Sequence, residues 1–413
     1  MPKLSKKVSG KMKNDRGFSC HREGVARGDL RISNDRTGVP LQKPAGDEAI
    51  LPSKEELSNP PKVSAIVVNW NGMEFLPTCL DSLAKQSYKN LEIIVVDCAS
   101  KDESVGFVKS NFHQVKLFSL KEDLGVPYAL NLGCRHADGE YVLILNNDVY
   151  LPFDLVGKMV QEILKDKYSV INPVQFKADG SLLGAGYSIP LFGVHQLIKM
   201  KGEYPFYPCT ACCLTTKEIL MANPLNEKFF IYEDVEWGWR LKLKKVKCRV
   251  MTDGYFLHKD AGTVGSQSPR QIRYGAFSYL TTRYICFKNS TLLVLSPLLL
   301  LALLRYFLRN WFKGSKMVRS FWGGISDFFK KINEFSEYRR GIQKGRLVKS
   351  DIRILKEMIA SHDFKRNFEI NWWKHYKRDF EKRIKRDSET FMHSLRVGTT
   401  RKSKREEKEC KIA

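Results

Sequence analysis

The chain has 413 residues, 43% of them hydrophobic, and a formal net charge of +24. That is enough for one large core with extensions. Roughly +16 of the excess falls after residue 300, which suggests an acidic partner, nucleic acid or anionic lipid, for that end alone and argues against a chain built mainly to bind nucleic acid.

Residues 1–60 are polar, mixed in charge and without hydrophobic period, and read as a poorly ordered extension closed by Pro60-Pro61. Order begins with a buried strand at 63–68, followed by the loop Asn69-Trp70-Asn71-Gly72. A helix fits 73–86, with Phe75, Leu76, Leu80 and Leu83 at helical spacing. Strand 91–96 ends on Asp97, a helix fits 103–111, and 115–120 is a third short strand. This alternation predicts a parallel, doubly wound α/β sheet.

After Gly125 a helix fits 127–137, with Pro127 in its first turn. The run Tyr141 to Leu145 has the length and composition of a buried strand and stops at Asn146-Asn147-Asp148. In open α/β sheets the ligand crevice lies at the carboxyl ends of strands. Hard oxygen ligands there suit Mg²⁺ or Mn²⁺ on a phosphate, although the same residues also make turns. A helix over 153–166 and a strand over 170–176 come next. Residues 177–208 read as loops with short strands, 211–215 as a strand and 217–223 as a helix.

Cys209, Cys212 and Cys213 form the only cluster among ten cysteines. A zinc site needs a second ligand pair, and none follows closely, so they read as small residues of a buried strand. Free thiols and the lack of a signal peptide point to the cytoplasm.

The second landmark is Phe229-Phe230-Ile231-Tyr232-Glu233-Asp234, a carboxylate pair after an apolar run and at the start of a helix reaching about Lys245. Acids are favoured there by the helix dipole, so capping is one reading and catalysis another. A last strand fits 246–251, with His258 beyond it in a Gly-rich loop. From Pro269 to Lys288 aromatics and arginines share a helix.

Thr291 to Leu304 is almost wholly apolar, shorter than the roughly 20 residues that span a bilayer, and followed by Arg305, Arg309 and Lys313. Segment 291–308 is expected to lie in a membrane interface. A buried core helix is the alternative. The tail to Ala413 is helical in composition and basic, and interleaves Lys and Arg with Trp372, Trp373 and Tyr376. It carries no recognised nucleic-acid motif, so no nucleic-acid partner is expected.

Asp97, Asn147-Asp148 and Glu233-Asp234 form an ordered constellation that resembles the family 2 glycosyltransferases with the GT-A fold, in particular the rhamnosyltransferase-type branch. The match covers about residues 62–290. The resemblance implies a mixed, mostly parallel α/β sheet over 61–268 and a helical, membrane-associating region over 269–413. It implies that Val68, Trp70, Asp97, Ser100, Gly125, Asn131 and Asn147 bind a nucleotide-sugar donor of UDP or dTDP type. Asp148 and His258 are the expected ligands of a divalent cation, Mg²⁺ or Mn²⁺. Asp234 stands as catalytic base, with Glu233, Trp237 and Arg240 as acceptor or structural support. Three departures stand out: Cys98-Ala99 replaces the usual Asn-Gly type pair, Asn146 replaces the first acid of the metal motif, and the sequence around His258 fits loosely.

The chemistry accounts for these residue types. A departing diphosphate builds charge that a cation stabilises as a Lewis acid. A carboxylate accepts strongly from a base N–H or ribose hydroxyl. An acceptor hydroxyl is a poor nucleophile and needs a base within hydrogen-bond reach. One base and one displacement invert the anomeric centre, as the resemblance implies, on a lipid-linked or surface saccharide. The expected location is the cytoplasmic face of a membrane, peripheral or monotopic. An inactive nucleotide-sugar-binding module and a nucleotidyltransferase are the competing classes; the latter usually opens with a Gly-rich phosphate loop, and only Asn71-Gly72 stands here.

Overall fold

The structure, a computed structural model, describes residues 59–184, 187–189, 196–197, 207–259, 268–360 and 381–395. The N-terminal extension apart from its last two residues, the Gly-rich loop after Lys259, the aromatic-basic stretch around Trp372 and the final charge run lie outside the described residues.

The first half alternates as expected: β1 (Val63–Asn69), α1 (Leu76–Ala84), β2 (Leu91–Asp97), α2 (Ser104–Asn111), β3 (Lys116–Ser119), α3 (Gly125–His136), β4 (Tyr141–Asn146), β5 (Val149–Tyr150), α4 (Leu155–Leu164) and β6 (Ser169–Lys177). Short strands β7 (Leu182–Gly184), β8 (Tyr187–Ser188) and β9 (Gln196–Leu197) follow, then β10 (Cys212–Thr216), α5 (Lys217–Ala222), α6 (Glu233–Leu243) and β11 (Lys247–His258). The main sheet has nine strands in the order β3-β2-β1-β4-β10-β6-β11-β5, with β7 beside β6. Strands β3, β2, β1 and β4 are mutually parallel, β10 runs against β4 and β6, and β11 is parallel to β6. Most strands therefore share one direction. This is the mixed, mostly parallel α/β sheet expected from the sequence, with a helical C-terminal region.

Side chains alternate across each strand. Val63, Ala65 and Val67 of β1 join Leu76, Leu80, Val156 and Met159 of α1 and α4 in one core. Ile66 and Val68 join Ala129, Leu130, Ile219 and Trp237 of α3, α5 and α6 in the other. The strand register sets Asn69 beside Asp97 and Val68 beside Asn146, so the polar tips of β1, β2 and β4 meet at one edge of the sheet.

Two spans differ from expectation. The last strand does not end at Met251. Its pairing with β6 shifts register between Met251 and Tyr255 and then continues to His258. Asp253-Gly254 reads as a stop in sequence, but a bulge absorbs it. His258 is thus a strand residue, opposite Val149 of β5, rather than a loop residue.

The apolar segment is the second. Helices α7 (Pro269–Cys286), α8 (Asn289–Trp311), α9 (Ser315–Lys330), α10 (Ile332–Gly345) and α11 (Asp351–Ala360) form the C-terminal region. Helix α8 has 23 residues, long and apolar enough to cross a membrane by length and composition alone. It passes through Pro297, which has no N–H for the Leu293 carbonyl; the Ser296 hydroxyl donates to that carbonyl at 2.8 Å. One side packs on the body through Leu295, Ala302 and Asn310, and the Tyr279 hydroxyl donates to the Leu299 carbonyl at 3.3 Å. The opposite side is bare: Leu293, Val294, Leu300, Leu301, Leu304 and Trp311 are all exposed.

A further helix, α12 (381–395), returns to the sheet edge, where Ile384, Phe391 and Leu395 pack on Phe176, Tyr255 and Leu257. The Tyr255 hydroxyl donates to Asp387 at 2.7 Å.

Candidate active site

The carboxyl tips of β1, β2 and β4 and the start of α6 enclose a cleft of about 300 Å³. Val68, Trp70, Gly125, Asn147, Asp148, Glu233 and Asp234 line it, seven of the residues expected from sequence. Asp123, Thr210, Phe230, Tyr232, Arg270 and Gln271 line it too and were not anticipated.

The floor is a polar network. Asn69 donates to Asp97 at 2.7 Å and to the Ser104 hydroxyl at 2.9 Å, and its Oδ1 accepts from Asn147 Nδ2 at 2.8 Å. A side chain at Gly72 would collide with both amides of that last bond, since an added Cβ would lie 2.0 Å from Asn147 Nδ2. Glycine is therefore required there by close approach. Asn147 is buried, so its amide is used to hold the turn after β4 on β1.

Asp97 does not line the cleft. It is 1% exposed, and its carboxylate also accepts from the Ser100 backbone N–H at 3.0 Å and from the Ser100 hydroxyl at 2.5 Å. Ser100 is likewise part of this support. Ala99 beside them takes a left-handed φ of 56°, the conformation that the glycine of the usual Asn-Gly pair adopts freely.

Three further expected residues stand behind the cleft. Asn131 donates to the Leu225 carbonyl and to Glu227, both at 2.9 Å, and accepts from Leu225 N–H, which ties α3 to the loop before α6. Trp237 is fully buried, with its indole N–H on the Asn223 carbonyl at 2.7 Å, so it belongs to the core and offers no sugar platform. Arg240 is buried against Glu236 at 2.6 Å and reaches the Pro224 carbonyl at 2.7 Å, a structural role.

Asp148 follows β4, and the long β11 brings His258 to it. His258 Nε2 lies 3.0 Å from Asp148 Oδ1, and both are buried. Gln175 on β6 holds the other ring nitrogen at 2.5 Å. To ligate through Nε2 the ring would carry its proton on Nδ1, with the Gln175 side chain turned to accept it through Oε1. One carboxylate oxygen and one imidazole nitrogen side by side, with an outer amide fixing the ring, fit a cation that tolerates nitrogen, Mn²⁺ better than Mg²⁺. No group of three or more His, Cys, Asp or Glu side chains gathers among the described residues, so donor phosphate and water would fill the remaining positions.

The carboxylate pair opens α6. Tyr232, just before it, has φ 65° and ψ 25°, a left-handed conformation that costs an aromatic residue energy and is characteristic of functional turns. Glu233 is buried, with its Oε1 accepting from the Thr210 hydroxyl at 3.4 Å. Asp234 is half-buried and accepts from the Val235 N–H at 2.8 Å. Burial lifts Glu233 to about 7. Burial first, and the neighbouring Glu233 charge second, hold Asp234 well above the carboxylate range. Arg270, at the start of α7, lies over the rings of Phe230 at 4.3 Å and Trp70 at 5.5 Å. It had no visible sequence signal, because α7 is far from the cleft in the chain.

The eight cysteines among the described residues are free and buried. Cys212 and Cys213 lie in β10 as the sequence suggested.

Residues 64–221 match the family model described as Glycosyl transferase family 2. The chain is similar to Glycosyltransferase GlyG of Streptococcus pneumoniae, 23% identical over 213 residues, which cover 48% of this chain and 70% of that protein. It is also similar to a hyaluronan synthase of Pasteurella multocida, 28% identical over 209 residues, 48% of this chain but 20% of that one. Among solved structures, S. aureus TarS in complex with UDP aligns at 18% identity and a TM-score of 0.40, covering 68% of this chain and 90% of that chain.

Proposed function

We propose that the chain transfers a sugar from a UDP- or dTDP-type nucleotide-sugar to a hydroxyl of a lipid-linked saccharide, by inverting single displacement at the cytoplasmic face of a membrane. The observation that carries this reading is the meeting, in one cleft, of Asp148 with its His258 partner and the Glu233-Asp234 pair. Asp148 and His258 would hold a divalent cation, which supplies Lewis-acid stabilisation of the leaving diphosphate. Asp234 takes the proton of the attacking hydroxyl, and Glu233 keeps the helix start in place through Thr210. The family 2 match supports the transferase class. Incubation with a panel of nucleotide-sugars and a membrane extract, read by mass spectrometry, is expected to yield one sugar-bearing product and free nucleoside diphosphate. Intact donors across the panel would contradict the reading.

Membrane attachment rests on α8. One side of α8 packs on the body through Leu295, Ala302 and the Tyr306–Phe321 ring contact at 6.0 Å, which leaves the other side for a membrane. Its outward leucines, with Arg305, Arg309 and Lys313 at the C-terminal end and exposed Trp311, Phe312 and Trp322, suit an anionic bilayer surface. Leu300→Glu with Leu304→Glu is expected to weaken sedimentation with phosphatidylglycerol vesicles by about tenfold or more, since each leucine buried in lipid contributes on the order of 1.5–3 kcal/mol. Thermal stability should not change, because both side chains face outward. Undiminished sedimentation would contradict the attachment surface.

A further inference from the structure

The Asp148–His258 pair is carried on a short piece of sheet, and the far end of the chain returns to it. We propose that α12 is the positioning element of this pair: it clamps β5 against β11 and so sets the spacing of Asp148 and His258. The proposal rests on the reading above, in which the two side chains hold a divalent cation.

Strand β5 has two residues and stands at the end of the strand order. Its pairing with β11 sets Val149 opposite His258 and Tyr150 opposite Leu257, and the Lys259 N–H donates to the Asp148 carbonyl at 3.0 Å. So short an edge strand depends on what its side chains meet. The two point to opposite faces of the sheet. Val149 enters the core under α1 and α4, with Leu155 and Met159. Tyr150 turns the other way, and its ring stacks on Phe391 of α12 with centroids 6.0 Å apart.

Helix α12 holds the surroundings of β5 at three more points. Its Asp387 accepts from the Tyr255 hydroxyl of β11 at 2.7 Å, shortly before His258. Arg383 pairs with Asp154, just after β5, at 2.8 Å. The Ser388 hydroxyl donates to the Ala178 carbonyl at 2.6 Å, beyond the end of β6, whose Gln175 holds the His258 ring. Ile384, Asp387, Ser388, Phe391 and Leu395 are buried and recur at helical spacing, so one face of α12 makes all these contacts but the Arg383 pair. Covering a sheet edge needs apolar contact alone. A buried hydroxyl–carboxylate bond and an ion pair also fix where the helix sits. The clamp thus acts on the two ligands from outside, as outer partners of metal ligands do.

Mn²⁺ binding in the presence of UDP is measured on the full chain by electron paramagnetic resonance of the free ion, beside thermal melting and amide hydrogen exchange. Phe391→Ala is expected to weaken Mn²⁺ by about tenfold or more, the usual loss of an outer partner, and to speed exchange in β5 and at Lys259 but not in β1. Tyr255→Phe, which deletes only the hydroxyl, should weaken Mn²⁺ in the same direction by less. Val108→Ala, on α2 between β2 and β3 at the opposite edge of the sheet, should lower thermal stability and leave Mn²⁺ affinity unchanged. Unchanged Mn²⁺ affinity in folded Phe391→Ala overturns the proposal, as does an equal loss in Val108→Ala, which would make the effect one of general stability. An unaltered protein that binds no Mn²⁺ with UDP present overturns the cation reading of Asp148 and His258, and this proposal with it.

Discussion

Asp234→Asn is expected to lower turnover by about 10²- to 10⁴-fold, the usual loss of a general base, while nucleotide affinity changes little. The two adjacent carboxyls at the start of α6 have different partners, the Thr210 hydroxyl for Glu233 and the Val235 N–H for Asp234. Glu233 is the more buried and accepts from Thr210, whereas Asp234 is half-buried at the cleft. Glu233→Gln should therefore be milder in turnover. Steady-state kinetics of the two variants decide between them, and loss in Glu233→Gln with near-normal Asp234→Asn would reverse the assignment.

The same pair sets a pH dependence. Burial raises both carboxyls in the folded state, Glu233 to about 7. A base must be ionised to act, so the rate should rise with pH above the ordinary carboxylate range as Asp234 ionises, and Asp234→Asn should lose that limb. The stability sign is opposite. The folded state binds more protons than the unfolded state between the ordinary carboxylate range and about 7, so folding is favoured at low pH and weakened as pH rises through that window. Asp234→Asn cannot ionise and should melt higher than the unaltered protein at pH 8, with little difference at pH 4. Stabilisation with loss of turnover is the expected signature of a site that trades stability for chemistry.

Asp148→Ala is expected to reduce turnover by roughly 10³-fold or more, the several kcal/mol that Lewis-acid stabilisation of a leaving group contributes. A readout apart from turnover is UDP affinity measured with and without Mn²⁺. The unaltered protein should bind UDP more tightly with the ion, and Asp148→Ala should erase the difference. His258→Ala should weaken Mn²⁺ binding by less, because the carboxylate remains. Full turnover in chelator, or UDP binding indifferent to Mn²⁺, would remove Asp148 and His258 from that role.

The strands and helices of the first half were legible because each apolar run ended in a polar turn. Val63 to Val68, Leu91 to Val96 and Tyr141 to Leu145 all became strands within a residue or two. The cleft was legible in part, since the carboxyl ends of parallel strands must lie together. What the sequence hid was long-range. Asp97 and Asn131 carry the expected residue types, but their polar atoms are used by Asn69, Ser100 and Leu225. Trp237 sits one residue before Gly238 and its indole turns into the core. His258 looked like a loop residue because a register shift is invisible to periodicity. The apolar run 291–304 gave too short a span because α8 continues through polar and basic residues to Trp311. Arg270 and Asp123 became visible only once α7 and the β3–α3 turn met the cleft.

The central claim, a single displacement with Asp234 as its one base, is tested most directly by the anomeric configuration of the first-formed product, followed by proton NMR. An α-linked nucleotide-sugar donor should give a β-linked product, with no signal from the α-linked isomer at early times. A product that keeps the donor's configuration would contradict single displacement and require a different arrangement of the cleft's carboxylates.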